Sequence, residues 1–291
     1  MTAAEYFEIG AEFKRGEAGF VMSQSSLKLF AQNPSAWFKG RKVEPTKSME
    51  WGNLIDVLYL TPNDFADTYC LFPKVYNAPT KADPYQQKPW NMTAHECQKW
   101  VAAQKQKGLF PLYRSTYEGA REAVKALHEH EIAAYLRGDC ETQVVCQWSW
   151  TDPITGIEVP LKCMIDIAPT ADNYLADLKS TVDASHGGFR RTAAKFRYDL
   201  QGAFYQWGHR ECIRDTEQYG LIVSESKFPY PVSTYYLTTD DLNAGRYGSK
   251  SRWGETPGFQ SMLEHYCQCL ASGIWPDIND GELKPLNLYR N

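Results

Sequence analysis

Two short apolar runs flank a polar Ala171-Asp172-Asn173 turn in the middle of the chain, Leu161 to Thr170 on one side and Tyr174 to Thr181 on the other. That pattern predicts a β-hairpin, in which Asp166 lies nearly opposite Asp177 and Leu178 across the ladder. Asp177 and Lys179, two residues apart on one strand, then project from the same face. Two carboxylates and an ammonium gathered at strand ends are costly unless something binds there. Hard oxygen ligands suit Mg²⁺, and a lysine beside such an ion can orient or deprotonate a water.

The sequence after the hairpin predicts one continuous helical stretch from Phe189 to Tyr205. On it Arg197, Gln201 and Tyr205 fall at i, i+4 and i+8, a single stripe. Arg190, Arg191 and Lys195 crowd its start, where free backbone N–H groups also favour phosphate. They read either as a solvated basic face or as phosphate contacts, and the neighbouring acids favour the second.

Upstream, residues before about Gly19 show weak periodicity and read as a mobile or accessory arm. Ser23-Gln-Ser25-Ser26 supplies a plausible N-cap for a short helix beginning at Leu27-Lys-Leu-Phe-Ala, which ends near Asn33-Pro34 and is followed by the basic Lys39 to Lys42. Met49 to Leu60 fits a helix burying Leu54, Val57 and Leu58, with Asp56 in that apolar company. Phe72 to Trp90 is dense in Pro, Lys and Asn and predicts an irregular excursion. Thr93 to Gly108 and Tyr113 to Leu136 predict two helices, with His128 and His130 on solvated faces. Glu141 opens a β region: Gln143 to Trp150 alternates, Asp152 to Gly156 turns, and Ile157 to Ile167 returns. Tyr219 to Ser224 reads as a buried strand with Val232 to Leu237 as its edge neighbour, and Phe259 to Ser272 as an amphipathic helix. The expected organisation is one α/β domain over 1–291: an arm at 1–22, a mainly helical insertion at 70–138, a catalytic β-sheet core with its helix at 141–238, and a helical C-terminal region at 239–291.

The order Asp166, Asp177-Leu-Lys179, Gln201-Gly-Ala-Phe-Tyr205 resembles the core of PD-(D/E)xK nucleases of the RecB-like branch. Gly52 to Asp56, Glu141 ahead of Trp148-Ser-Trp-Thr-Asp-Pro-Ile-Thr-Gly156, Glu225 to Tyr230 and Tyr266 to Pro276 bring it nearest to the phage-type exonuclease VIII (RecE) nuclease domain. The resemblance implies a restriction-endonuclease-like fold with a central mixed sheet flanked by helices. It also implies a Mg²⁺-dependent exodeoxyribonuclease on linear double-stranded DNA ends, resecting 5′ to 3′ and leaving a 3′ tail for an annealing protein. In that scheme Asp166, Asp177 and the Leu178 carbonyl hold the metal, with Mn²⁺ able to substitute. Lys179 serves the nucleophile, Gln201 fixes the water or the lysine, and Tyr205 contacts the backbone near the scissile phosphate. Asp56, which stands where relatives carry a histidine, is a further metal ligand or else an exposed or capping carboxylate on the other face of its helix, and Glu141 is an outer metal ligand or an exposed strand start. Arg190, Arg191, Lys195 and Arg197 would follow the DNA backbone. Related phage exonucleases form rings, which implies a homo-oligomer. A structure-specific endonuclease on the same core, or a DNA-binding module with a decayed site, are the alternatives.

A formal charge of −4 excludes a uniformly basic nucleic-acid coat and leaves local contacts open. Of the eight cysteines only Cys267 and Cys269 lie close in sequence, and no Cys-x-x-Cys occurs, which speaks against a zinc ribbon. Some RecB-like nucleases carry an iron–sulfur cluster whose first cysteine precedes a proline; Asn33 takes that place here, so no cluster is expected. Reduced thiols, no apolar run long enough to span a bilayer and no signal-like start together lead to the expectation of a cytoplasmic protein without membrane contact, in a bacterial or phage-infected cell.

Overall fold

The structure is a computed structural model and describes residues 3–42, 44–251 and 254–278. Its frame is a mixed sheet of six strands: β1 (Met22–Ser23), β2 (Cys140–Thr151), β3 (Glu158–Pro169), β4 (Tyr174–Thr181), β5 (Gln218–Glu225) and β6 (Val232–Leu237). β2 runs antiparallel along one whole edge of β3, from Cys140↔Pro169 to Thr151↔Glu158. The other edge of β3 is shared. At one end the two-residue β1 pairs with it in parallel, Met22↔Leu161, and at the other β4 meets it antiparallel through Ile167↔Ala176. β4 then pairs in parallel with β5, and β5 antiparallel with β6. The expected hairpin is therefore present in the expected register, but its strands diverge almost at once. The candidate site lies where they part, at Asp166 and Leu178.

Seven helices matter here: α1 (Gln24–Gln32), α2 (Lys47–Leu60), α3 (Arg114–Glu129), α4 (His186–Phe196), α5 (Tyr198–Cys212), α6 (Thr239–Tyr247) and α7 (Phe259–Ser272). β5 alternates between two cores, with Leu221 and Val223 buried against one face and Ile222 against the other, the pattern of a strand covered on both sides. On the first face α1, α5 and α7 contribute Leu27, Phe30, Phe204, Trp207 and Tyr266. On the second, α2 and α3 contribute Leu54, Ile55, Tyr59, Ala123 and Leu127. The mixed α/β architecture with helices on both faces is the one expected.

Several boundaries differ. Residues 3–22 do not hang free: Lys162 Nζ donates to the carbonyls of Tyr6 at 3.0 Å and Ile9 at 2.9 Å, and Arg15 donates to Trp37 O at 2.7 Å. An ammonium placed to satisfy two carbonyls fixes the segment against β3. The inward side chains of α2 are Leu54, Ile55, Tyr59 and Leu60, with Val57 and Leu58 only half-buried. The long helix expected to Leu136 breaks after Glu129, because His130 Nδ1 accepts the Ala133 N–H at 3.2 Å and caps a new short helix, Glu131–Leu136. The region 70–138 is not simply a helical insertion: Tyr69–Leu71 pairs with Phe110–Leu112, Val75–Asn77 pairs with Gln87–Pro89, and α3 forms part of the second core. Residues 279–291 of the C-terminal region lie outside the described residues.

Candidate active site

β4 presents Asp177 and Lys179 on one face, as the two-residue spacing requires. Asp177 is 1% exposed, and its two oxygens have different neighbours. Oδ1 accepts from the Gln201 amide at 2.9 Å, and Oδ2 is ion-paired with Lys179. Tyr198 closes the other side of the lysine, with Nζ 4.9 Å from its ring centroid. Burial alone would pull the Lys179 ammonium down, but Asp177, Asp166 and Tyr198 outweigh it and hold its pKa above the usual lysine value.

Asp166 reaches the same place from β3. Its Oδ2 accepts the Leu178 N–H at 2.9 Å, so a side chain takes over where the ladder lapses. Burial first, then the charges of Asp177 and Asp56, push its carboxyl well above the ordinary range. Asp56 arrives from α2. Gly52, one turn earlier, lies against β4 so closely that a Cβ there would come within 3.2 Å of Ser180 Oγ. That approach carries Asp56 to the carboxylates, where burial, with Asp177 adding and Lys179 opposing, pushes its pKa up to about 7. The structure thus brings together Asp56, Asp166, Asp177, Lys179 and Gln201, drawn from four separate elements.

Other expected residues stand elsewhere. The stretch 189–205 is not one helix: Arg197 adopts a left-handed conformation, φ 56°, between α4 and α5. Its guanidinium forks onto Asp199 at 3.0 to 3.1 Å and donates to Pro257 O at 3.0 Å. Arg197 is a clamp on the helix junction and leaves the expected stripe; the face of α5 turned to the site carries Tyr198, Gln201 and Tyr205. Tyr205 is half-buried, its ring 6.5 Å from that of Tyr219, and burial followed by Asp177 pushes its phenol well above the usual range. Its ring thus packs against Tyr219, close enough to Asp177 and Asp166 to feel their charge.

Arg190, Arg191 and Lys195 are exposed along α4, and Ser185 caps its start by accepting the Gly188 N–H at 3.2 Å. Lys195 therefore belongs to the last turn, not to the start of the helix. Arg191 is 3.9 Å from Asp183 Oδ2, too exposed a pair to hold the arginine. Glu141 is exposed opposite Ala168, and no hydrogen bond or ion pair joins it to Asp56, Asp166, Asp177 or Lys179.

Two residues beside the site escape sequence reasoning. Tyr198 covers Lys179 only because the helix restarts at Arg197. Lys28, on α1, donates to Phe196 O at 2.8 Å, and burial, then Lys179 and Arg197, pull its ammonium down to about 8. Nothing local distinguishes Lys28 from a surface helix lysine. Its position follows from the parallel docking of β1 beside β3.

Among the described residues no three of His, Cys, Asp and Glu are arranged as a ready metal cage. The chemistry of the donors nevertheless fits a hard divalent cation. Asp177 raises the pKa of both Asp166 and Asp56, and Asp56 adds to the shift of Asp166, a crowding of carboxylates around one lysine that a cation relieves.

A carboxylate from each of two diverging strands, with a lysine two residues beyond the second, is the arrangement of PD-(D/E)xK domains. The chain belongs to the family described as "PDDEXK-like domain of unknown function (DUF3799)", which it matches over residues 21–280. A solved structure from Eubacterium rectale, provisionally described as an exonuclease, is 14% identical, covers 99% of this chain and 91% of its own, and superposes with a TM-score of 0.55. That likeness concerns the fold. Two further structures overlap too weakly to carry an argument: SSO0001, at 10% identity, 62% and 72% coverage and TM-score 0.31, and a phage-related exonuclease from Haemophilus somnus 129PT, at 15%, 68% and 91%, and 0.30. No curated protein matches the chain.

Proposed function

We propose that the protein is a metal-dependent deoxyribonuclease that hydrolyses linear double-stranded DNA from its ends, 5′ to 3′, leaving 3′ single-stranded tails for recombination by an annealing protein. The observation that carries this reading is the Asp177–Lys179 pair held by Gln201, with Asp166 fixed opposite on the Leu178 N–H. A nuclease site needs acids for a cation and a lysine for the water in one place, and these residues supply both. Family membership supports a nuclease; polarity, end preference and the RecE-like role rest on the sequence resemblance.

Asp166, Asp177 and the Leu178 carbonyl would hold Mg²⁺, with Asp56 as a further oxygen ligand and Glu141 left outside. The ion, when bound, supplies positive charge to the phosphate and to the water that attacks it. Lys179, kept charged by its acidic neighbours, donates a hydrogen bond that orients the water or a phosphate oxygen. Gln201 holds Asp177 by its Oδ1 and so keeps Oδ2 turned toward Lys179. Tyr198 excludes solvent from one side of the lysine, and the exposed Arg190, Arg191 and Lys195 hold the DNA backbone. A homo-oligomeric ring would let a chain of net charge −4 retain its substrate by enclosure rather than by bulk attraction. Among the described residues no helix is long and apolar enough to cross a membrane.

The test is purified protein with Mg²⁺ on end-labelled linear duplex and on closed circular duplex. Release of nucleotides from the linear 5′-ended strand alone is the expected result. Cutting of the circle would establish an endonuclease, and DNA binding without cleavage of either would establish a binding module.

A further inference from the structure

Three lysines surround the break between α4 and α5. Lys28, on α1, donates to Phe196 O at 2.8 Å. Lys195 Nζ lies 5.4 Å from the centroid of the Phe196 ring, and Lys179 Nζ lies 4.9 Å from that of Tyr198. The Phe196 and Tyr198 rings are themselves stacked at 6.2 Å and 22°, so these side chains form one contiguous patch. It reaches from the Asp177–Lys179 ion pair to the exposed last turn of α4.

The three lysines differ in what balances their charge. Lys179 is ion-paired with Asp177, and Lys195 is open to water. Lys28 has neither advantage. It is half-buried, and among the described residues its hydrogen bond goes to a neutral carbonyl rather than to an acid. The two carboxylates whose charge reaches it, Asp177 and Asp199, are engaged by Lys179 and Arg197. Burial, then the repulsion of Lys179 and Arg197, pulls its pKa down to about 8, so its surroundings disfavour the charge it carries. A partly desolvated ammonium without a carboxylate is stabilised by an anion brought from outside, and an ammonium has further N–H donors besides the one given to Phe196.

We infer that Lys28 binds a phosphate of the cleaved DNA strand, the one next to the scissile phosphate, on a path between Lys179 and Lys195. A phosphodiester suits the place because its single negative charge is met by lysine as a point charge. One strand carries such a group at every nucleotide and so supplies anions to Lys179, Lys28 and Lys195 in turn. The inference rests on the nuclease reading and adds to it a substrate contact from α1.

The experiment measures binding of a short fluorescein-labelled duplex to metal-free protein in EDTA, by anisotropy against salt, at pH 7, below the value of about 8 for Lys28. Lys28→Gln keeps a donor for Phe196 O and removes the charge. It should weaken binding and lower the slope of log K against log salt by about 0.9, and Lys28→Arg should restore the slope. Should the glutamine variant fail to fold, Lys28→Met, which keeps the apolar stem, carries the same test. A variant without the charge that keeps the parent's slope overturns the inference, and a lowered melting temperature alongside would make Lys28 a prop of the helix junction only. With Mg²⁺ the loss should appear in KM; a loss confined to kcat would place Lys28 at the reacting atoms and overturn its assignment to the neighbouring phosphate. A parent that cleaves linear duplex while Lys28→Gln keeps its slope defeats the Lys28 contact alone. An inactive parent whose slope falls in Lys28→Gln defeats the nuclease reading alone.

Discussion

The Leu178 backbone N–H donates to Asp166 Oδ2 at 2.9 Å, at the point where β3 and β4 cease to pair. The carboxylate stands in for the carbonyl that a continued ladder would have supplied, so the strands can part without orphaning a buried donor. Asp166 therefore has a structural task besides its proposed metal ligation.

The two tasks separate by substitution. Asp166→Asn retains an acceptor oxygen for Leu178 and should keep most of the stability while losing cleavage. Asp166→Ala leaves the N–H unsatisfied and should cost a further ~1–3 kcal/mol. Chemical denaturation of both variants, alongside cleavage of linear duplex, measures the difference; equal stabilities would mean that the bond to Leu178 contributes nothing.

Lys179 is the sole ion-pair partner of Asp177 among the described residues, and Asp177 is 1% exposed. Lys179→Ala should abolish cleavage and leave DNA binding nearly intact. It should also destabilise the metal-free protein by about 3–5 kcal/mol, since a buried charge loses its counterion. Mg²⁺ should restore part of that stability if Asp177 is a ligand. Thermal melts with and without Mg²⁺ decide it, and turnover close to the parent's would end the proposed mechanism.

Arg197 and the exposed cations of α4 should behave differently. Arg190, Arg191 and Lys195 replaced together by alanine should weaken DNA binding and lower the slope of log K against log salt by up to about 0.9 for each phosphate no longer neutralised. Arg197→Ala should leave that slope unchanged and lower the melting temperature instead, as should Asp199→Ala, because each removes half of the clamp at the α4–α5 junction. A double-mutant cycle near additivity would return Arg197 to the DNA-binding set.

How far the sequence discloses the site depends on the range of the interactions that build it. Period-two alternation and a polar turn are local, and they place Asp166 opposite Asp177 with Lys179 on the same face. Helical spacing likewise delivers Gln201. The break at Arg197 has no such signature, because left-handed backbone is ordinarily a place for Gly or Asn, and arginine is held there by Asp199 and by a carbonyl 60 residues away. Helical phase carried across that break puts Arg197 on the stripe and hides Tyr198. Lys28 depends on a two-residue parallel strand, and such a pairing leaves no pattern in sequence. Asp56 could be singled out only by resemblance; the close passage of Gly52 over Ser180 is what places it.

Asp56 also predicts how the site responds to pH. Its pKa is about 7 in the folded chain, against roughly 3.9 for an unperturbed aspartate. The folded state thus holds this proton more tightly than the unfolded chain does. The resulting stability is fully present below about pH 4 and is lost as pH rises toward 7. Asp166, shifted in the same direction, adds to the effect. The metal-free protein should therefore melt at lower temperature at pH 8 than at pH 5, and Asp56→Asn should reduce that difference without removing it. If Asp56 is a ligand, Mg²⁺ competes with the same protons, and its stabilising effect should be larger at pH 8 than at pH 6. Asp56→Ala should then greatly slow cleavage, and Asp56→His should recover activity with a preference shifted toward Mn²⁺, which accepts imidazole more readily than Mg²⁺ does. An Asp56→Ala protein that digests linear duplex like the parent at limiting Mg²⁺ would remove Asp56 from the metal site and leave Asp166, Asp177 and the Leu178 carbonyl to hold a single hydrated ion.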